Sequence, residues 1–211
     1  MARVSLGSVG KWTAWGLMAF LAVAVGVVSL RVLTFNPLVI DQDLRQNLID
    51  HPIPFYTHVI LGPLALIIGA WQFLPITRRS RYHRFAGRAY VALCLVGAVA
   101  GFIIALTTTT GPVPGTGFAI LALLWFGVTL RGYLYGRDRD TVRHRRWMIR
   151  SYALTCAAIT LRIILPVGMV SGLSFYESYV LAAWGSWTIN LLIAEAIIRW
   201  PTRSRRAVAA E

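Results

Sequence analysis

Negative charge is scarce in this chain: eight Asp and Glu stand against 21 Lys and Arg, and all but one of those bases are arginine. Charged residues of both signs make up only 14% of the 211 residues, while 57% are hydrophobic. So little polar surface cannot cover a soluble core of that size, and the surplus belongs in a bilayer. Cysteine is nearly absent too. Cys94 and Cys156 both fall inside apolar runs, which argues against a disulfide framework or a zinc cluster. There is no Cys-x-x-Cys pair, phosphate loop, dinucleotide fingerprint or nucleophile elbow. The positive charge has no soluble basic domain to sit on, so nucleic acid is not the expected partner.

Long uncharged runs are what the chain has instead. Trp12 to Leu30 and Pro52 to Thr77 carry no charge, and Ala89 to Leu130 is uncharged for long enough to cross twice. A span needs about 20 residues, so that last run must turn back, and the Gly and Pro of "TTTTGPVPGTG", Thr107 to Gly117, supply the bend. Two further spans follow, Arg150 to Met169 and Tyr179 to Ile198. The expected fold is all-α: a polytopic six-transmembrane-helix bundle forming a single integral membrane domain over 1–211. Its helices are expected at about 12–33, 55–76, 88–107, 117–136, 149–170 and 178–199. The first run is too long for the apolar centre of a secretory signal and is read as a retained helix.

The arginines set an orientation. The arm before the first span, the second and fourth connections and the tail hold 18 of the 21 basic residues, leaving Arg31 and Arg45 on the other side and Arg162 within a span. By the positive-inside bias, both termini are expected in the cytoplasm, with the protein in the bacterial inner membrane. Shifting the chain by 62 residues on itself gives eight identities between 81–137 and 143–199, among them Arg88/Arg150, Tyr90/Tyr152, Cys94/Cys156 and Trp125/Trp187. This suggests a tandem repeat of two-helix hairpins that would bring two His-Arg corners to the same side.

Four histidines are available for chemistry. His51 and His58 belong to the outer side; His83 and His144 belong to the two arginine-rich corners. Paired imidazoles from different helices, with arginines to hold carboxylates, are what haem b requires. His83 and His144 are therefore the candidate ligands of a haem iron, with Arg84, Arg88, Arg146 and Arg150 as propionate partners and His58 as the alternative ligand. A histidine bonded to a headgroup or a carbonyl at the interface is the plainer reading of each. Arg162 lies about 12 residues (~18 Å) beyond Arg150 and needs a partner inside the bundle. Glu177, Asp41, Asp43 and Asp50 are its candidate partners; a structural salt bridge or a bond to a backbone carbonyl is the plainer reading, and an anionic ligand or a quinone the functional one. Glu195 is expected to pair with Arg199 or a basic loop. Asn190 and the small residues Gly62, Gly69, Gly97 and Gly101 are read as packing.

The segments "HVILGPLALIIGAWQF", "YHRFAGRAYV" and "HRRWMIRSYALT" with the later "TLR" resemble a family of bacterial multi-pass proteins known as predicted membrane proteins. That resemblance implies a polytopic helical fold and brings no catalytic residue with it. A looser likeness to transmembrane b-type cytochromes is an analogy of fold alone. The functional expectation is a small membrane protein that binds haem b or quinone and serves electron transfer. The competing expectation is an accessory or lipid-binding subunit of a larger membrane complex, its arginines docked on acidic phospholipids of the bilayer.

Overall fold

The computed structural model describes residues 6–34, 42–73 and 80–199. Asp41, and the basic residues Arg3, Arg78, Arg79, Arg203, Arg205 and Arg206 that contribute to the orientation bias, lie outside these residues. The described chain is helical throughout: α1 (Leu6–Ser29) followed by a 3₁₀ turn (Leu30–Thr34), then α2 (Gln42–Asp50), α3 (Pro52–Gln72), α4 (Arg81–Leu106), α5 (Pro112–Arg137), α6 (Thr141–Thr155), α7 (Ala157–Val170) and α8 (Phe175–Arg199). Six segments are long and apolar enough to cross a bilayer, with α6 and α7 together counting as one of 30 residues.

Local chemistry explains the ends. Ser80 caps α4 by accepting the His83 N–H at 3.3 Å, and Asp140 caps α6 by accepting the Arg143 N–H at 2.9 Å. Both helices therefore start several residues before their apolar runs, which carries the arginine corners onto the first helical turns rather than into loops. The turn between α4 and α5 falls where Gly and Pro predict it: Gly111 takes φ 105, and Pro112 follows as the first residue of α5. The short α2 has no apolar run to announce it.

Helix packing follows small residues. α3 lies against α1 and α4, α5 against α4, α6 and α8, and α7 against α8. The buried layer is made largely of Ala, Gly and Ser, with Leu66, Tyr90, Trp125 and Tyr152 among its large members. Close approach substitutes here for the hydrophobic effect, which is absent between helices in lipid. Gly69 shows how close: a Cβ there would stand 2.5 Å from the Tyr152 ring. Phe20, Val27, Leu106, Val170, Leu192 and Ile197 instead point outward, as a lipid-facing surface requires.

One crossing is broken. The i to i−4 ladder stops at Cys156: its own N–H bonds Tyr152, but Ile159 and Thr160 both donate to the Cys156 carbonyl, at 2.9 and 3.2 Å. Neither Gly nor Pro lies at the break; Pro166 is ten residues further on and removes only the donor that would meet the Arg162 carbonyl. A side chain from α8 reaches into it. Asn190 Nδ2 donates to the freed Ala153 carbonyl at 3.1 Å, and Asn190 Oδ1 accepts from the Thr160 hydroxyl at 2.9 Å.

Candidate functional site

His58, in the second turn of α3, can approach α4 because that helix presents glycines. A Cβ on Gly101 would stand 2.7 Å from His58 Nδ1, and the Gly97 carbonyl lies 2.9 Å from the same nitrogen. A carbonyl only accepts, so Nδ1 carries the hydrogen and Nε2 the lone pair. Trp125 of α5 meets the imidazole edge-on at 6.4 Å between ring centres.

Arg162, on α7, comes to the same place from the other side. Its guanidinium donates to the Ala158 carbonyl at 2.9 Å and to the Ser29 hydroxyl at 2.8 Å, and Ser29 in turn donates to the Val25 carbonyl at 2.6 Å. No carboxylate is within ion-pair distance of Arg162 among the described residues. Of its candidate partners, Glu177 is occupied by the Ser174 N–H and hydroxyl, and Asp50 by Gln46; the Asp43 side chain lies outside the described residues. Two of the five guanidinium hydrogens are accounted for, so the group has donors to spare.

Between them lies a cavity of about 160 Å³ lined by His58, Trp125, Thr155, Ala158, Arg162 and Ser186, among others. A second of about 80 Å³ shares His58, Gly62, Ala158 and Arg162 and reaches toward Ser29. The broken turn forms part of the wall, since Leu154, Thr155, Ala157 and Ala158 all line the larger cavity.

The other wall is held by a buried hydroxyl network. Trp125 Nε1 and Tyr90 Oη each lie 2.9 Å from Thr155 Oγ1, Tyr90 Oη lies 2.9 Å from Ser151 Oγ, and Ser151 Oγ lies 2.6 Å from Thr129 Oγ1. Thr155 spends its one hydrogen on the Ser151 carbonyl at 3.0 Å. The polarity of the chain is therefore fixed: Tyr90 donates to Thr155, Ser151 to Tyr90 and Thr129 to Ser151. Every hydroxyl hydrogen is used, and the set ends on a backbone carbonyl, so it stiffens the wall that orients Trp125.

The arginine-rich end is built differently. His144 Nδ1 lies 2.8 Å from the Gly132 carbonyl of α5, and His83 is half-buried on the first turn of α4. α4 and α6, which carry these two histidines, meet through Tyr90 deep in the bundle. Arg150 forms a two-pronged ion pair with Glu195, and Arg199 joins the same carboxylate at 3.5 Å. Arg131 and Arg150 each sit 5.0 Å from the Trp147 ring centre, whereas Arg84, Arg88 and Arg146 are exposed. Of the candidate site residues, His58 and Arg162 are thus brought to one cavity, and Arg150 is committed to Glu195. Sequence reasoning did not single out Ser29, Trp125, Thr155 or Ser186. The polar residues Thr160 and Asn190 within apolar runs were the available signal.

Helical crossings with apolar exteriors, small-residue contacts and one interrupted span around a polar cavity define a polytopic helical membrane protein. A family model for predicted membrane proteins, DUF2306, matches residues 55–198, and the chain belongs to that family. The match covers His58, Arg162, Ser186 and the break, and leaves out α1 and α2. No curated protein and no solved structure is detectably similar to it.

Proposed function

We propose that the chain binds the headgroup of a quinone in the cavity shared by His58 and Arg162, and serves electron transfer in that capacity. The observation that carries this reading is the convergence of the His58 imidazole and of a guanidinium with no ion pair among the described residues on a cavity of about 160 Å³. A cavity of roughly 150 Å³ accommodates one benzene-sized ring. That volume is too small for a haem macrocycle, which favours quinone over haem at this place. Arg162 offers N–H groups to a ring carbonyl, and His58 Nε2 offers a lone pair to a ring hydroxyl, so the pair suits both the oxidised and the reduced ring. Ionisable groups inside a membrane usually mark such a pathway.

The arginine bias supports placing Arg84, Arg88, Arg146 and both termini at the cytoplasmic face of a bacterial inner membrane. A second reading has its own observation. The exposed arginines and the Trp147 stack form a surface for acidic lipid headgroups, as an accessory subunit would use.

Detergent-extracted protein decides among these. A short-tailed benzoquinone should quench tryptophan fluorescence saturably in the unaltered chain and fail to do so in His58→Phe. A Soret band that disappears in His83→Ala and His144→Ala would establish haem b ligated at the arginine corners instead. A colourless protein that ignores quinone and retains anionic lipid would establish the lipid-binding role.

A further inference from the structure

The smaller cavity differs from the larger in its walls. Beyond the residues the two share, it is lined by Val25 and Ser29 of α1 and by Val59, Pro63 and Leu66 of α3, so its own lining is apolar except for one serine. A space of about 80 Å³ is roughly half of what houses a benzene ring, so it admits a chain but no second ring. Neither cavity is sealed.

Two observations show where the smaller one opens. α1 presses on α3 at Gly26, where a Cβ would stand 2.8 Å from Ile67 Cδ1, so that seam is shut. The seam between α1 and α7 is bridged by a polar contact instead, the 2.8 Å bond from the Arg162 guanidinium to the Ser29 hydroxyl. Arg162 is itself exposed, although it stands near the middle of α7 and has the outward-facing Ile163 and Val167 beside it on that helix. A charge at the surface of a span belongs at the rim of a polar cavity and not on bare acyl chains. The mouth therefore lies between α1 and α7, within the hydrocarbon layer.

We infer that the smaller cavity and the α1–α7 seam take an apolar tail carried by the ligand of the larger one, which makes that ligand a lipid-soluble quinone reached from the bilayer. The inference rests on the quinone reading and narrows its substrate class: His58 and Arg162 meet the ring, while Val25, Val59 and Pro63 line the path of the chain.

The test uses the full chain in lipid nanodiscs, titrated by tryptophan quenching with a tail-less benzoquinone and with the same ring bearing a decyl chain. Each ring is compared between variants, so its partitioning into lipid cancels. Val25→Phe fills the smaller cavity and should weaken the decyl compound about tenfold while leaving the tail-less ring unaffected. Val27→Phe is the control, because Val27 faces outward on the same helix; it should change neither affinity. In the unaltered chain, a nitroxide placed on the tail next to the ring should broaden the methyl resonances of Val25 and Val59 and spare those of the lipid-facing Leu192. Equal loss for both rings in Val25→Phe, no loss for either, or broadening at Leu192 as strong as at Val25 overturns the tail path. If the tail-less ring binds the unaltered chain and Val25→Phe leaves the decyl compound untouched, the tail path falls while the quinone reading stands. If the unaltered chain binds neither ring, both fall.

Discussion

Cys94 and Cys156 lie 62 residues apart, the offset at which 81–137 and 143–199 share eight identities, yet α4 runs straight through the first while the helix breaks at the second. The same register explains the difference. Asn190 matches Val128, Thr160 matches Ala98, Ser186 matches Leu124 and Arg162 matches Ala100. Every side chain that holds the break open or faces the cavity from the second hairpin has an apolar residue at its counterpart in the first. The first hairpin contributes backbone and shape instead: the Gly97 carbonyl, the space at Gly101, and Trp125. Residues 143–199 thus supply Arg162 and Ser186 to the cavity, facing His58 of α3. Installing the first hairpin's residues in the second is therefore a direct way to dismantle the site.

The largest effect is expected from Arg162→Ala. It removes the only described intramembrane cation at the cavity, and benzoquinone affinity should fall more than a hundredfold in a fluorescence titration, about 2.8 kcal/mol. Stability should hardly suffer, because a guanidinium inside the bilayer is costly to keep and only Ser29 and Ala158 lose a donor. A variant that unfolds while retaining its affinity would mean that Arg162 is structural.

Asn190→Val comes next and acts on the backbone. The Ala153 carbonyl and the Thr160 hydroxyl each lose a partner, which should lower the unfolding free energy by about 1.5 kcal/mol. If the broken turn depends on Asn190, α6 and α7 should also fuse into one helix. The amide of Ala157 would then become protected from hydrogen exchange, bonded to Ala153 as the matching amide in α4 is bonded within its own helix. An unchanged exchange rate at Ala157 would show that the break has another cause.

The fold was largely legible because membrane spans are written in long runs without charge, and Gly111 and Pro112 mark their turn unambiguously. The site was legible in part. His58 and Arg162 are conspicuous as ionisable groups in apolar segments, but their meeting at one cavity depends on the packing of several helices, which no local pattern encodes. The arginine corners drew attention through density of charge, although Arg150 is engaged with Glu195 and His144 with the Gly132 carbonyl. The break was the least visible feature. Ala157 and Ala158 are good helix formers, and the side chain that bonds the carbonyl of the preceding turn is an asparagine more than thirty residues away.

Thr160→Ala should have the smallest effect and is the sharpest test of that asparagine. The Thr160 hydroxyl donates to Asn190 Oδ1 and stands 3.4 Å from the Cys156 carbonyl, so it orients the amide that in turn caps Ala153. Interhelical hydrogen bonds in membranes average about 0.6 kcal/mol, and the loss should be of that size in reversible unfolding. The decisive quantity is its coupling to Asn190. If Thr160 acts only by aiming Asn190, its removal should cost nothing further once Asn190→Val is in place, and the two changes should fall short of additivity by the whole of the smaller one. Full additivity would separate the two residues. The open turn would then have to be held by the packing of α7 on α8 rather than by a relay of two side chains.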